Sequence, residues 1–425
     1  MVIHVVQPGE TTASIAGMYG VSEDRLVYDN QLLGQEKLAE GQALLVLFPR
    51  TVHMVNPGET LTEIAYQYGI TSRELARNNP YLIQQSTLQT AQPIVVAYDE
   101  EEQGKLKVSG YAYPFIDQDI LRESLLYLDE LLVFSYGFTF EGELVPPRTD
   151  ETWMLQVARK FQVKPILVLT PFAEPDVFNN QLVKTVIENK QVQLTLIRNL
   201  LDKVRQKRYA GVNVDFEYIL PENQEGYAQF VGNLRQVMEE NGYQVSVALA
   251  PKTSAGQKGL LYEGMDYRLL GESADSVFLM TYEWGYTYGP PMAIAPLNKV
   301  DEVLSYALAE IPREKIVMGM PNYAYDWALP YVRGYTEAAN ISNVEAARIA
   351  AQTGAVIQFD RTSKSPHFDY WQESVQHKVW FGDVRSVEAK VQLALKRRIL
   401  GIGYWSLMKP FRANWLLLNA LLDLH

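Results

Sequence analysis

The chain has 425 residues, 47% of them hydrophobic and 21% charged, which suits a soluble globular protein with two or three domains and a large core. Its net charge of −12 argues against a general nucleic-acid binder, because neutralising phosphates needs a basic face. It has no cysteine, which excludes disulfides, thiol catalysis and Cys-based zinc sites.

The first residues, MVIHVVQPGETT, lack a basic stretch followed by a long apolar one. No signal peptide and no membrane insertion are expected. An internal repeat fills the first hundred residues. His4-Val-Val-Gln-Pro-Gly-Glu-Thr11 recurs 49 residues later as His53-Met-Val-Asn-Pro-Gly-Glu-Thr60. At the same offset Ile15-Ala16 matches Ile64-Ala65, Tyr19-Gly20 matches Tyr68-Gly69, Leu26 matches Leu75, and Asn30 matches Asn79.

Each copy reads as strand, Pro-Gly turn, two helices and a strand. The first copy should run through a strand at Val5-Val6 and a helix from about Thr12 to Tyr19, ended by Gly20. Ser22 should cap a second helix through Leu26, with Glu23 and Asp24 favourable in its first turn. The closing strands are expected near Ala43–Leu47 and Ile94–Ala97.

These residues resemble the LysM module, a βααβ domain that binds N-acetylglucosamine (GlcNAc)-containing glycans such as peptidoglycan and chitin. The modules would occupy residues 1–49 and 50–98. The resemblance implies sugar contacts at Gly9, Glu10, Thr11 and Asn30 in the first copy and at Gly58, Glu59, Thr60 and Asn79 in the second. The first copy is less regular, with Thr12-Ala13 replacing Leu61-Thr62; a purely structural pair of small domains is the alternative. The acidic run Tyr98–Gly104 then reads as a linker over 99–104, or as a solvated loop of the next domain.

From Lys105 onward short β-rich runs alternate with amphipathic stretches. The runs are Val108–Tyr111, Leu131–Ser135, Ile166–Leu169, Gly211–Glu217, Val245–Ala250, Ser276–Thr281, Ile316–Met320 and Gly401–Ser406. Between them Leu194, Ile197, Leu201 and Val204 share one helical face, as do Tyr227, Phe230, Val231, Leu234 and Met238. Eight βα units predict an α/β fold, a (β/α)8 TIM barrel over 105–425. The gap from Pro321 to Leu400 is too long for one crossover, and its β-like runs Ala355–Phe359 and His377–Trp380 predict an inserted α+β subdomain at about 328–390.

In such a barrel chemistry sits where the strands end. The fourth run projects Asn213, Asp215 and Glu217 from one face and Val212, Val214 and Phe216 from the other. Two carboxylates two residues apart on a buried strand are costly unless used, and their proximity pushes their pKa values apart. The alternative is a solvated edge strand. The sixth run ends at Thr281 and leads into Tyr282-Glu283-Trp284, the seventh continues to Tyr323-Ala-Tyr325-Asp326-Trp327, and the eighth ends in Tyr404-Trp405-Ser406. Carboxylates walled by aromatic rings suit glycoside hydrolysis. The five histidines show no metal-ligand spacing, and neither a metal nor another cofactor is expected.

Gly211-x-Asn-x-Asp215-x-Glu217, Met280-Thr-Tyr282, Trp405 and Val379-Trp-Phe-Gly-Asp-Val-Arg385-Ser resemble glycoside hydrolase family 18, the chitinase-like family. With two LysM-like modules ahead, the arrangement is similar to the cortical-fragment glucosaminidases of bacterial spores. The resemblance implies substrate-assisted retention: Glu217 protonates the glycosidic oxygen, and the 2-acetamido carbonyl of the sugar itself attacks the anomeric carbon. Asp215 would orient the acetamido N–H, Tyr282 would bond its oxygen, and Trp405 would floor the subsite. Asn213, Glu283, Trp284, Tyr325 and Asp326 are further candidates for the substrate-binding surface; Glu283, Tyr325 and Asp326 could equally be structural, and Trp284, Trp327 and Tyr404 could be packing. Two positions depart from the family pattern: Ala210 stands before the Gly, and Asn213 stands where Asp is common, which predicts a shifted pH optimum.

The implied partner is peptidoglycan or another GlcNAc-containing glycan, in a spore coat, cortex or cell wall. A chitinase and a non-catalytic glycan-binding coat protein are the competing readings. Oligomeric state is not legible.

Overall fold

The computed structural model describes residues 1–85, 87–172 and 178–424. The apolar runs form eight parallel strands, β1 (Lys107–Ala112), β2 (Glu130–Phe138), β3 (Lys164–Leu169), β4 (Gly211–Val214), β5 (Gln244–Leu249), β6 (Ser276–Leu279), β7 (Ile316–Pro321) and β8 (Gly401–Trp405). Each pairs with the next, and β8 pairs with β1 to close the barrel. Nearly every residue of these strands is buried, because one face fills the barrel and the other meets the helices. All eight strands fall on the expected runs.

β4 differs in length. It stops at Val214, three residues short of Glu217. The amide of Asp215 still donates to the Leu169 carbonyl, at 2.9 Å. Phe216 is then drawn into a stack on Phe230 and Tyr227, and Tyr218 adopts a left-handed backbone with φ 58°. Both carboxylates therefore leave the sheet at its C-terminal mouth.

Helix Gln224–Glu239 buries Tyr227, Phe230, Val231, Leu234 and Met238, the face its periodicity predicts. Helix Lys190–Lys207 is rotated from expectation. It buries Gln193, Leu196, Ile197, Leu200 and Val204 and leaves Leu194 exposed, because a separate helix at Asn180–Glu188 takes up part of the same crossover.

The inserted subdomain is a five-stranded antiparallel sheet made of Ala324–Leu329, Ala339–Ile341, Gln358–Asp360, Ser365–Gln372 and Val375–Trp380, with helix Asn343–Thr353 packed on it. It begins before residue 328 and ends well before 390. Asp383 accepts from the amides of Arg385 and Ser386 and so starts the last barrel helix, Val384–Arg397, inside the expected insertion.

The two repeats fold alike. The first pairs Val2–Val5 with Ala43–Val46 around helices Thr12–Tyr19 and Glu23–Asp29; the second pairs Pro49–Met54 with Pro93–Tyr98 around Leu61–Gln67 and Ser72–Asn78. Neither hangs free. Leu45, Leu47, Ala76, Val95 and Tyr98 belong to the same apolar core as the barrel. Arg73 donates to the carbonyls of Leu125, Leu126 and Leu128, and Arg412 from the barrel pairs with Glu123 and reaches the Tyr28 carbonyl. The first repeat also touches the inserted sheet: the Ile357 amide donates to the Glu40 carbonyl, and a Cβ on Gly41 would sit 2.0 Å from the Ile357 oxygen. The acidic segment is docked as well, its Gln103 amide bonding the Leu421 carbonyl at 2.8 Å.

Among the described residues no helix is long and apolar enough to cross a membrane, and no group of three His, Asp or Glu side chains is placed to hold a metal ion.

Candidate active site

A cavity of about 310 Å³ opens at the C-terminal mouth of the barrel. Its floor and walls come from consecutive strand ends. Tyr111 lies on β1 and Tyr113 follows it, Phe134 lies on β2, and Phe172 follows β3. Asp215 and Glu217 follow β4, Tyr282 and Glu283 follow β6, and Trp405 ends β8. β7 contributes indirectly: beyond it Tyr323 and Tyr325 both donate to Glu283 Oε1, Tyr325 at 3.1 Å. The Trp405 ring is held edge-on by Phe134 at 5.0 Å and by Tyr111 at 5.4 Å.

The electrostatics follow from burial. Asp215 is 5% exposed, and its Oδ1 has no protein partner. Desolvation pushes its carboxyl well up. Glu217 is raised by desolvation first, then by the charge of Asp215, then by that of Glu283. Two carboxyls that resist ionising together hold one proton between them near neutral pH, which is what a proton donor beside an anion requires. Burial also raises Tyr282, so its hydroxyl stays a donor. Glu283 is raised by burial and partly offset by its two tyrosine donors. Its backbone is left-handed, with φ 66°.

The alkaline limb can be worked out by sign. A protonated Glu217 can act as an acid, and the Glu283 anion helps keep it protonated. Glu283→Gln removes that charge, so the alkaline limb of kcat/KM moves to lower pH. A pH–rate profile showing no shift, or an upward one, would contradict the assignment.

Five of the expected residues meet at the cavity: Asp215, Glu217, Tyr282, Glu283 and Trp405. Four lie elsewhere. Asn213 is fully buried below it, accepting from the Tyr111 hydroxyl at 2.9 Å and donating to Ser246 Oγ at 2.8 Å. Its amide serves as acceptor and donor at once, which a carboxylate could not do, so Asn213 braces β4 and does not line the cavity. Asp326 is buried in the inserted sheet, accepting from Tyr370 at 2.6 Å and facing His377 Nδ1 at 2.9 Å. Tyr325 acts through Glu283, and Trp284 packs against the core.

The repeat residues also serve the fold of their own modules. His4 Nε2 lies 2.8 Å from Glu10, and His53 Nε2 lies 2.8 Å from Glu59. Thr11 and Thr60 close capping boxes on the helices that follow. Asn79 is fully buried, bonding the Leu75 and Val95 carbonyls and the Val95 amide, and Asn30 does the same with Leu26 and Leu45. Much of the repeated motif is therefore internal wiring. Gly9 and Gly58 remain at exposed turns, with φ 81° and 80°.

The aromatic wall of Tyr111, Tyr113, Phe134 and Phe172 was missed. Its signal was present in the rings at or just beyond the ends of the first three strand runs.

A closed parallel barrel with buried, partly protonated carboxyls at its mouth and indole and phenol rings around them defines a glycoside hydrolase. The glycosyl hydrolases family 18 profile matches residues 179–409, and the LysM domain profile matches residues 4–46 and 53–97. The cortical fragment-lytic enzyme of Bacillus subtilis (strain 168) is 40% identical over 424 residues, covering 99% of this chain and 97% of that one. The cortical fragment-lytic enzyme of Bacillus anthracis is 38% identical, covering 98% and 97%. The crystal structure of the Bacillus cereus spore cortex-lytic enzyme SleL superposes with a TM-score of 0.83 at 34% identity, covering 99% and 98%. The chain belongs to glycosyl hydrolases family 18 and carries two LysM domains ahead of its barrel.

Proposed function

We propose that the protein is a spore-cortex peptidoglycan N-acetylglucosaminidase that cleaves after GlcNAc with the help of the substrate's own acetamido group. The observation that carries this reading is the orphaned oxygen of Asp215: a fully buried carboxylate with an unpartnered Oδ1, in a cavity otherwise walled by rings. Such an atom calls for a donor from the substrate, and an acetamido N–H supplies one. Glu217 donates its proton to the glycosidic oxygen as the acetamido carbonyl closes on the anomeric carbon. Asp215 stabilises the resulting oxazolinium cation, and Tyr282 bonds the acetamido oxygen. Glu217, now ionised, takes a proton from the water that opens the ring. Trp405 offers the sugar an apolar face.

The curated relatives named for cortical fragments support the cortex as the setting. The LysM domains support tethering to the same polymer, with the exposed backbone at Gly9–Thr12 and Gly58–Thr62 as the glycan-facing loops. Because the domains are docked on the barrel, the tether fixes where the mouth meets the strand.

Muropeptide analysis of digested cortex tests the reading. New reducing GlcNAc ends are expected; reducing muramic acid ends would overturn it. Chitin oligomers cleaved in preference to cortex saccharides would favour a chitinase.

A further inference from the structure

Next to the catalytic cavity lies a second hollow of about 190 Å³ that shares Tyr113, Phe134 and Phe172 with it. The common wall sets the two hollows side by side at the mouth. Phe115 stands 65% exposed at the edge of the second, its ring 5.1 Å from that of Tyr113 and tilted 31°. A broad exposed ring held against a second ring presents a flat apolar face, the surface on which a pyranose ring rests. Pro146-Pro147-Arg148 also line the hollow and bring an exposed arginine to it. Two consecutive prolines fix φ and restrict the backbone before that arginine.

Charge sets Arg148 apart. The catalytic cavity carries Asp215, Glu217 and Glu283 and no cation. Among the described residues lining the two hollows, Arg148 is the one positive group. The structure gives it no ion pair or hydrogen bond to a described residue. A neutral polymer would have no use for a guanidinium without a partner among the described residues there. A saccharide with a carboxylate on its neighbouring sugar would, because that carboxylate would otherwise enter an acidic mouth unpaired.

We propose that this hollow is a saccharide subsite for the sugar adjoining the cleaved GlcNAc, with Phe115 as its platform and Arg148 as the specificity residue for a carboxylate-bearing substituent, such as an ether-linked acid or a short peptide. The inference rests on the glycosidase reading above and names which neighbour that site accepts. Arg148 touches no reacting atom. It contributes affinity for a charged substituent and leaves the bond-breaking step alone, so its loss appears in KM and not in kcat.

The test compares wild type, Arg148→Ala and Arg148→Lys on three probes: cortex saccharides with free carboxylates, the same saccharides after amidation, and carboxymethylated GlcNAc oligomers. Arg148→Ala should raise KM about fivefold on the two carboxylate-bearing probes, with kcat within about twofold, and leave KM on the amidated probe unchanged. Arg148→Lys should recover part of the loss, and the wild-type preference should shrink as salt rises. An equal KM change on charged and amidated probes, or none on either, overturns the proposal. Should wild type fail on cortex saccharides yet cleave the GlcNAc oligomers, the peptidoglycan reading falls while the carboxymethylated probe still decides the role of Arg148. Phe115→Ala, an exposed change that leaves the core intact, should raise KM on all three probes alike; an unchanged KM overturns the platform.

Discussion

Glu217→Gln is expected to lower kcat by about a thousandfold or more while the protein still binds its glycan, because the amide keeps the shape of the side chain and loses its proton. The same change should stabilise the barrel at alkaline pH. The folded-state pKa of Glu217 lies above its ordinary value of 4.5, raised first by desolvation. The native state therefore holds a proton that the unfolded chain releases. As pH climbs through the unfolded value, stability falls, and it goes on falling until the folded value is passed. Glutamine has no such loss. At pH 8 the variant should exceed wild type by about 1–3 kcal/mol, and at pH 4 the two should converge. Thermal unfolding at both pH values, set beside turnover of cortex saccharides, reads both halves. Retained turnover refutes the acid assignment; equal stability at pH 8 refutes the buried-carboxyl account.

The second large effect is expected far from the mouth. Arg25 lies in the first LysM domain, and its Nε donates to Asp29 at 2.8 Å. Its two terminal nitrogens reach the second domain, at the Asn78 carbonyl, the Tyr98 hydroxyl and Asn79 Oδ1. Asp29 is 3% exposed. Arg25→Ala removes the pin between the domains and leaves Asp29 buried without its cation, at a cost of about 3–5 kcal/mol. Earlier melting of the LysM region is expected, with new protease cleavage near residues 47–52. The double change Arg25→Met with Asp29→Leu should cost much less, since no charge is stranded. By contrast, Lys299→Ala breaks an exposed pair with Glu302 and should change stability by under about 0.5 kcal/mol. A mild Arg25→Ala phenotype equal to that of Lys299→Ala would refute the pin.

The readable features were those with a local cause. Alternation and apolar runs placed all eight strands, since a strand buried on both faces needs them wherever it sits in the barrel. The repeat exposed both small domains because a Pro-Gly turn, a capping threonine and a helix-ending glycine are needed at fixed spacing. Asp215 and Glu217 stood out because two carboxylates in an apolar run are costly by themselves. Side-chain roles were less readable. Glu10 and Asn79 repeat as faithfully as any glycan-contact residue would, yet both hydrogen-bond within their own modules. Asp326 belongs to a chemistry-rich run but turns into the inserted sheet.

The sequence by itself determined the barrel, the two repeats and the carboxyl pair, because propensity, turns and the cost of charge act within a few residues. Only the tertiary structure decided which rings face the cavity, that Asn213 braces β4 while Asp215 lines the cavity, and that Arg148 lies beside the mouth. Those outcomes depend on which strand end approaches which, and residues as far apart as Tyr111, Asp215 and Trp405 meet only when the barrel closes.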